Sequence, residues 1–203
     1  MTELKPYPKY KYSGNQFIGK IPVEWQVNKL KFYFKITSSK RVFEKDWKSE
    51  GIPFYRARDI SKLNDPDYLP QIFISREHYL NNISLHGPIN VGDIIVTAVG
   101  TLGEVLLVKD NKEFYFKDGN IIWFQNKGKV NPAYVVLLFE TSIIKEQIKF
   151  TSNSTTVGTL TIDNAKRFEI PVPKINEQNK IAAYLKFMNS QINSLIADKE
   201  RLI

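Results

Sequence analysis

The stretch Gly92-Asp93-Ile94-Ile95-Val96-Thr97-Ala98-Val99-Gly100 decides the fold class of this chain. Its run from Ile94 to Val99 is rich in β-branched residues and almost wholly apolar, which is typical of a buried strand. Gly100 and Gly103 bracket a tight reversal, and residues 104–108 supply the returning strand. The stretch therefore predicts a β-hairpin within the core.

Shorter β signals flank this hairpin on both sides. Residues 51–56 (GIPFYR) indicate a turn followed by a strand along which aromatic and basic residues alternate. Residues 114–116 and 121–124 indicate two further strands, whereas residues 25–34 (WQVNKLKFYF) fit the start of either a helix or a strand. Residues 1–22 are rich in Lys, Tyr, Pro and Gly and are expected to form an extended arm.

Helical signals follow the strands. Asn131-Pro132 predicts a helix that runs to about Phe150, because proline is favoured in a first helical turn. An uncharged Ser/Thr-rich loop at 151–161 comes next, and structure resumes at 162–170. The predicted fold class is α+β, with a β-rich domain and small helices followed by a C-terminal helix of the coiled-coil type.

That last helix is predicted from residue 176 to residue 203, with Asn176 as its N-cap, because this segment has neither Gly nor Pro after it begins. Apolar residues recur along it at steps of four and three, as in a coiled-coil seam. We call the following residues the apolar seam: Ile181, Leu185, Met188, Ile192, Leu195 and Leu202. A partner helix is favoured over a terminal helix folded back on its own domain. The expected domains are 1–175 and 176–203.

Composition narrows the class of partner. The chain has 203 residues, a formal net charge of +8 and no cysteine. Residues 1–50 hold eleven Lys and Arg against five acids. A basic surface attracts phosphate, so nucleic acid is the expected partner, with a merely solvated surface as the alternative. The absence of a signal segment or a long apolar run predicts a soluble, cytoplasmic protein without membrane contact.

The candidate catalytic motifs are all weak. Asn131-Pro132-Ala133-Tyr134 differs from the amino-methyltransferase motif at its second proline, and a helix start explains it better. Asp93 with Asp110-Asn111-Lys112 loosely fits a metal-dependent nuclease, but both positions suit strand and turn chemistry. His78 and His86 have no acidic cluster between them. Gly100-Thr101-Leu102-Gly103 lacks the Lys-Ser/Thr ending of a phosphate loop. No catalytic residue, metal or cofactor is predicted.

Recognition of DNA is the remaining chemistry. Arginine can form paired hydrogen bonds with guanine, asparagine can do so with adenine, and hydroxyls can bind phosphate. The candidate DNA-binding residues have basic, amide or hydroxyl side chains that can donate hydrogen bonds, and they lie in expected loops or at strand ends. They are Lys40, Arg41, Arg56, Arg58, Lys62, Arg76, Thr101, Asn153, Ser154, Thr155 and Thr156.

The order of several short motifs resembles that of a type I restriction-modification specificity subunit, over nearly the whole chain. The motifs are Ile21-Pro22-x-x-Trp25 with Leu30, Tyr55-Arg56-x-Arg58-Asp59-Ile60 (interpreted as a strand), Gly92-Asp93-Ile94-Ile95 with Gly100-Thr101-x-Gly103, Pro132-x-Tyr134, the Ser/Thr loop before Leu160-Thr161, Ile170-Pro171-Val172-Pro173, Glu177-Gln178 and Ile181-Ala182-x-x-Leu185. Among them, the Pro-x-Pro pair followed by Glu-Gln is the most specific.

The resemblance implies a non-catalytic subunit that reads one half of a split DNA site. In that family two recognition domains are separated by long helices, and separate modification and restriction subunits carry out the chemistry. One recognition domain and part of one helix are present here, which favours a truncated product or a fragment over a half-size subunit that forms a homodimer. Expected partners are double-stranded DNA, the modification subunits and, through them, the restriction subunits. The alternatives are an assembly or decoy protein without DNA readout, and a small Mg-dependent nuclease.

Overall fold

A computed structural model describes residues 6–65, 67–117, 119–152 and 158–200. The strands are β1 (Tyr10–Tyr12), β2 (Lys20–Pro22), β3 (Gln26–Lys29), β4 (Phe34–Thr37), β5 (Trp47–Lys48), β6 (Ile52–Tyr55), β7 (Phe73–Ile74), β8 (Ile94–Thr97), β9 (Val105–Leu107), β10 (Tyr115–Phe116), β11 (Ile121–Asn126) and β12 (Glu169–Val172). The helices are α1 (Ala57–Ile60), α2 (Arg76–His86), α3 (Pro132–Glu140), α4 (Ser142–Ser152), α5 (Ile162–Arg167) and α6 (Ile175–Glu200). The predicted α+β class with a long C-terminal helix is confirmed.

The central sheet has the order β4-β11-β8-β9, and its neighbouring strands are antiparallel. The predicted hairpin forms its β8-β9 half, where Ile95 lies opposite Leu106. Two backbone bonds to β8 close the turn, from Gly103 N to Thr97 O at 3.0 Å and from Thr97 N to Glu104 O at 2.9 Å.

Both faces of this sheet are buried, which explains the continuous apolar run in β8. Successive strand residues point to opposite faces, so Ile94 and Val96 pack with α3, α4 and the start of α6. Ile95 and Trp123 point the other way and pack with Ile60 and Phe116. A strand that alternated apolar and polar residues would leave one of these two clusters incomplete.

A second sheet, of order β10-β6-β7-β5, lies beyond the cluster that contains Ile95 and Trp123. Its own core includes Phe54 and Ile74 from the sheet and Tyr79 from α2. Strand β6 pairs with β10 in parallel, with Phe54 opposite Tyr115. Because parallel strands need a crossover, the long chain between them makes α1, α2 and the β8-β9 hairpin. The tip of that hairpin and the end of β10 are thereby brought near α1.

Several predicted boundaries were wrong. The strand after Gly51 ends at Tyr55, and the following residues form the helical turn α1, because Asp59 accepts the backbone N–H of Arg56 at 2.9 Å. The helix expected from Pro132 to about Phe150 is two helices. Thr141 interrupts them with an extended backbone, and its Oγ1 donates to Leu138 O at 2.7 Å.

The remaining corrections concern the two ends. Helix α6 begins at Ile175, so Asn176 lies inside its first turn and is not its N-cap. The ambiguous segment at 25–34 contains β3, a 3-10 turn and the first residue of β4. The described part of the N-terminal arm forms the β1-β2 hairpin. Among the described residues, no helix combines the length and the apolar character that crossing a bilayer requires.

Candidate nucleic-acid interface

A cleft of about 560 Å³ opens where α1, the β8-β9 turn and the end of β10 meet. We call it the basic cleft. It is lined by Arg56, Ala57, Arg58, Ser61, Thr97, Val99, Gly100, Thr101, Glu104, Lys117 and Asn120. A neighbouring depression of about 380 Å³ contains Arg41 and Phe43 and shares Lys117 and Asn120 with the cleft. The two hollows therefore form one continuous surface, whose polar side chains are mainly cationic, amide and hydroxyl groups, with Glu44 and Glu104 as its carboxylates.

The β8-β9 turn holds its part of the cleft in a fixed shape. The buried Thr97 hydroxyl donates to the Thr101 carbonyl and accepts the Glu104 N–H at 3.0 Å. Gly103 has φ +81°, and a Cβ there would lie 2.6 Å from Ile148 Cδ1. The positive φ favours glycine at this position, and a larger residue would also require the Ile148 methyl group to shift. The turn consequently presents Thr101 and Glu104 from a rigid backbone.

The two arginines at the start of α1, Arg56 at its N-cap position and Arg58 within it, have different roles. Arg56 forms an ion pair with Asp59, with Nε 2.8 Å from Oδ2 and Nη2 3.2 Å from Oδ1. Tyr68 also donates to Asp59 at 3.0 Å. Arg58 is exposed and has no ion-pair partner in the described part of the chain. Arg56 thus stabilises α1 at the edge of the cleft, and Arg58 is available to a ligand.

The pKa of Asp59 is set by these neighbours. Burial acts to raise the pKa, but hydrogen bonds from the Arg56 side chain, the Arg56 backbone and Tyr68 outweigh it and hold the pKa below the ordinary aspartate value. Burial, together with the hydrogen bond to Asp59, raises the pKa of Tyr68 to about 12. A charged Asp59 is therefore a built-in part of the α1 turn.

The segment before Arg41 is held against strand β11 of the central sheet and strand β10 of the second sheet. Ser38 Oγ donates to Ile121 O at 3.1 Å, and Ser39 Oγ donates to Phe116 O at 2.8 Å. The Lys40 N–H donates to the hydroxyl of Tyr115 at 2.9 Å. These bonds place Arg41 in the depression beside the cleft, whereas Lys40 itself is exposed and does not line either hollow.

The structure thus brings together four of the predicted DNA-binding residues, Arg41, Arg56, Arg58 and Thr101. Lys62 is exposed on the 3-10 turn after α1 but does not line the cleft. Arg76 also lies outside both hollows and pairs with Glu113 at 2.7 Å.

The predicted residues Asn153, Ser154, Thr155 and Thr156 lie outside the described residues. Described residues on the C-terminal side of that segment reach the rim of the cleft. Thr159 pairs with Val99, and Leu160 N donates to Ala98 O at 2.9 Å. Val99 itself lines the cleft. This antiparallel bridge connects the Ser/Thr-rich stretch to the β8-β9 turn.

Sequence reasoning missed several lining residues, namely Ser61, Glu104, Lys117 and Asn120. A signal for two of them was present. The tetrapeptide Lys117-Asp118-Gly119-Asn120 separates two apolar strand signals, and such a turn exposes its polar side chains. Lys117 Nζ lies 6.0 Å from the centre of the Trp47 ring, a cation–π distance that orients its long side chain.

A second polar assembly, which we call the junction, lies at the start of α6. Glu177 accepts hydrogen bonds from Trp25 Nε1 at 3.2 Å and from the Tyr7 hydroxyl. The buried Gln178 donates to Pro173 O at 2.9 Å and accepts the Asn131 N–H at 2.8 Å. Burial and the Glu177 contact raise the pKa of Tyr7 to about 12. The junction ties the arm, α3 and α6 together.

The catalytic alternatives have structural explanations. Asn131 caps α3 by accepting the N–H of Ala133 at 2.8 Å, and Tyr134 donates to Pro171 O at 3.0 Å. The buried Asp93 accepts from Trp123 Nε1 and from the backbone N–H groups of Asn90 and Asn126, each at 2.9 Å. Within the described ranges, no three His, Cys, Asp or Glu side chains are grouped so that they could hold a metal ion.

Most of the apolar seam lies on the surface of α6. Leu185 is 38%, Ile192 48% and Leu195 69% exposed, whereas Ile181 and Met188 are half-buried. Ala182, on another side of the helix, packs into the main core near α3. Leu202 lies outside the described residues. Helix pairing through the seam stays a prediction, as does the domain boundary at 175/176.

The fold is similar to that of chains solved from type I restriction-modification systems. It superposes on the HsdS subunit from Thermoanaerobacter tengcongensis with a TM-score of 0.65 and 16% identity, over 92% of this chain and 41% of that one. A chain from a study of complex assembly in a type I system gives a TM-score of 0.66 and 17% identity, over 92% and 42% of the two chains. These identities establish the likeness of fold.

Sequence comparison establishes the family. Residues 22–202 match the type I restriction modification DNA specificity domain, and the chain belongs to this family. It is similar to the type I restriction enzyme MjaIX specificity subunit of Methanocaldococcus jannaschii, with 29% identity over 187 residues, 87% of this chain and 40% of the relative. The chain therefore spans about two fifths of the length of the relatives it matches. The resemblance drawn from the sequence motifs is confirmed.

Proposed function

We propose that the basic cleft reads one half of a bipartite double-stranded DNA site and that the chain itself catalyses no reaction. One observation carries the proposal: in a member of a DNA specificity family, two turns and a helical turn bring Arg58, Lys117, Asn120 and Thr101 into one cleft. These side chains offer the donors that base edges and phosphates accept.

The cleft residues divide by chemistry. Arg58 is suited to a guanine edge and Asn120 to an adenine edge, since each can form paired hydrogen bonds with that base. Lys117 and Arg41 are suited to phosphates, which fix orientation without carrying sequence information. We assign Thr101 a phosphate contact through its hydroxyl. Arg56 positions α1 by its bond to Asp59.

Residues around the cleft extend the proposed contact. Lys40 adjoins Arg41 in the sequence and Lys62 follows Ser61, and we assign both to flanking phosphates. The segment Asn153, Ser154, Thr155 and Thr156 is proposed as a further DNA contact because its C-terminal flank pairs with the β8-β9 turn. Contact by Arg76 stays a prediction, and it would compete with the Arg76–Glu113 ion pair.

Helix α6 is proposed as the coupling element of the chain, and residues 176–203 as a unit separate in function from the recognition domain. Leu185, Ile192 and Leu195 leave an apolar row exposed, which a partner helix would cover. We assign the partner to modification subunits or to a second copy of this chain, and restriction subunits would join through the modification subunits. Linking two readers on one duplex raises affinity through effective concentration. The proposed compartment is the cytoplasm.

The test is to produce the chain together with the modification subunit, purify the complex and sequence the methylated sites in the host genome. A recurring half-site that changes or disappears with Arg58→Ala supports the proposal. Arg167→Ala, an exposed arginine outside the cleft, is the matched control and should leave the site unchanged. Methylation that is independent of this chain, or unaffected by Arg58→Ala, would overturn it.

A further inference from the structure

One acidic side chain lines the otherwise cationic and neutral cleft. Among the described residues that line the basic cleft itself, Glu104 carries the only carboxylate, beside Arg58, Lys117 and Asn120, whereas Glu44 lines the neighbouring depression. It is exposed and forms no ion pair with a described residue, although cations line the same cleft. A carboxylate at this place opposes phosphate binding, so a role in general DNA affinity does not account for it.

The backbone holds Glu104 in place. Its N–H donates to Thr97 Oγ1 at 3.0 Å, and its carbonyl accepts the Thr97 N–H at 2.9 Å. Thr97 is itself buried, and the neighbouring Gly103 fits closely against Ile148. The carboxylate therefore projects from a rigid turn, which is the kind of support that a residue selecting between similar ligands needs.

Base chemistry indicates what a carboxylate in such a cleft would accept. It can only accept hydrogen bonds, and cytosine offers its N4 amino group in the major groove. Adenine also offers an amino group, but its N7 acceptor lies alongside and repels a carboxylate. Guanine N7 and O6 and thymine O4 are acceptors, so Glu104 would disfavour both bases. Rejection of wrong bases is as much a part of specificity as attraction.

We propose that Glu104 is a specificity-determining residue that accepts a hydrogen bond from the amino group of a cytosine within the half-site. This inference rests on the proposed function, because it places DNA in the basic cleft. It assigns to one acidic side chain the choice of a base, while the neighbouring cations provide affinity. Removing the charge should therefore weaken selectivity and strengthen binding to unrelated DNA.

The experiment compares the 203-residue chain, in complex with its modification subunit, with the Glu104→Gln variant. Duplexes with randomised positions are selected by each complex and sequenced, and binding is then measured on single duplexes that carry C, A, G or T at each selected position. Glu146→Gln is the matched control, because it removes the same charge from an exposed residue of α4 outside the cleft. Thermal unfolding of each variant checks that it is folded.

We expect the wild-type chain to prefer cytosine at one position by about tenfold, the size of a typical single-base effect. Glu104→Gln should reduce that preference to about threefold or less at the same position and bind random duplexes more tightly than Glu146→Gln does. Three outcomes would overturn this inference but leave the proposed function standing. Glu104→Gln could select the same motif as the wild-type chain, it could lose a preference for adenine and not for cytosine, or it could have the same effects as Glu146→Gln. A wild-type complex that selects no sequence would overturn the proposed function as well.

Discussion

The basic cleft and the junction use polar side chains in opposite ways. At the junction, Glu177 and Gln178 are engaged by partners from the arm and from α3. In the cleft, Arg58 and Glu104 are exposed and form no ion pair with any described residue. Satisfied polar groups fix a structure, whereas unsatisfied groups on a rigid surface are available to a ligand.

This contrast explains what the recognisable motifs represent. Trp25 and the Glu177-Gln178 pair carry much of the sequence resemblance, and the structure shows them bonded to one another or to nearby backbone across the start of α6. They specify how the helix is attached to the domain. The side chains assigned to DNA lie mostly in turns between such motifs. The motifs that attach the helix to the domain therefore identify the family and the fold of a chain, but they do not identify the residues that read bases.

The largest expected effect would break the junction. Gln178→Ala removes a donor to Pro173 O at a buried site and an acceptor for the Asn131 N–H at a part-buried one. Because each buried group left unpaired costs about 1–3 kcal/mol, the free energy of unfolding should fall by about 2–4 kcal/mol. Urea denaturation followed by circular dichroism measures this. Gln191→Ala, an exposed position on α6, is the control. An equal decrease in the free energy of unfolding in the two variants would show that the hydrogen bonds of Gln178 do not stabilise the junction.

The second prediction concerns a substitution that changes the basic cleft and leaves the junction intact. Arg58→Ala should weaken binding to the cognate half-site by about 1–3 kcal/mol and change binding to random duplexes little, as expected of a base contact. Stability should change by less than about 0.5 kcal/mol, because Arg58 is exposed. Anisotropy titrations on cognate and scrambled duplexes measure both affinities. A uniform loss on all sequences would reassign Arg58 to phosphate, and Arg167→Ala controls for the lost charge.

The pattern of apolar residues predicted the core of the fold well, because apolar residues recur in the sequence with the same period at which side chains of a strand or helix face the core. The β-branched run in β8 and the reversal at Gly100 and Gly103 follow from local preferences. The predicted strand through Arg56 failed because an ion pair with Asp59 favours a helical turn there. Asp59 also accepts a hydrogen bond from Tyr68, nine residues farther along the chain, which no local pattern includes.

The candidate site was only partly predictable, for a physical reason. Arginines near strand ends could be selected by residue type, and Arg41, Arg56 and Arg58 do meet at the cleft and its neighbouring depression. Lys117 reaches the cleft through the parallel pairing of β10 with β6, a contact between distant parts of the sequence. Glu104 was missed because an acid contradicts the simple expectation that DNA surfaces are basic.

A third prediction tests whether Asp59 is a structural part of the cleft. Its folded-state pKa lies below the ordinary aspartate value of about 3.9, so its contribution to stability is present above that value and is lost as the pH falls through the folded-state pKa. Asp59→Asn should lower stability by about 1–2 kcal/mol at pH 7. The gap to the wild-type chain should narrow below about pH 4.

Denaturation midpoints between pH 7 and pH 3 measure that gap. Asp163→Asn provides the comparison, because the Asp163 side chain is 79% exposed and its contact with Lys166 spans 3.5 Å. This control should change stability little at any pH. A gap for Asp59→Asn that stays constant with pH would mean that the Asp59 charge does not stabilise α1, and that Arg56 is more available to DNA than its ion pair indicates.

The smallest expected effect tests whether Lys117 contacts a phosphate while other residues of the cleft read bases. Lys117→Ala should leave sequence preference intact and reduce the magnitude of the slope of log affinity against log salt by about 0.9, the value for one lost phosphate contact. Between 50 and 200 mM salt this amounts to about a threefold smaller loss of affinity. Titrations at four salt concentrations measure the slope, with Lys145→Ala on the exposed side of α4 as the control. An unchanged slope combined with altered base preference would place Lys117 at a base edge, and the cleft would then read sequence with both its cations and its carboxylate.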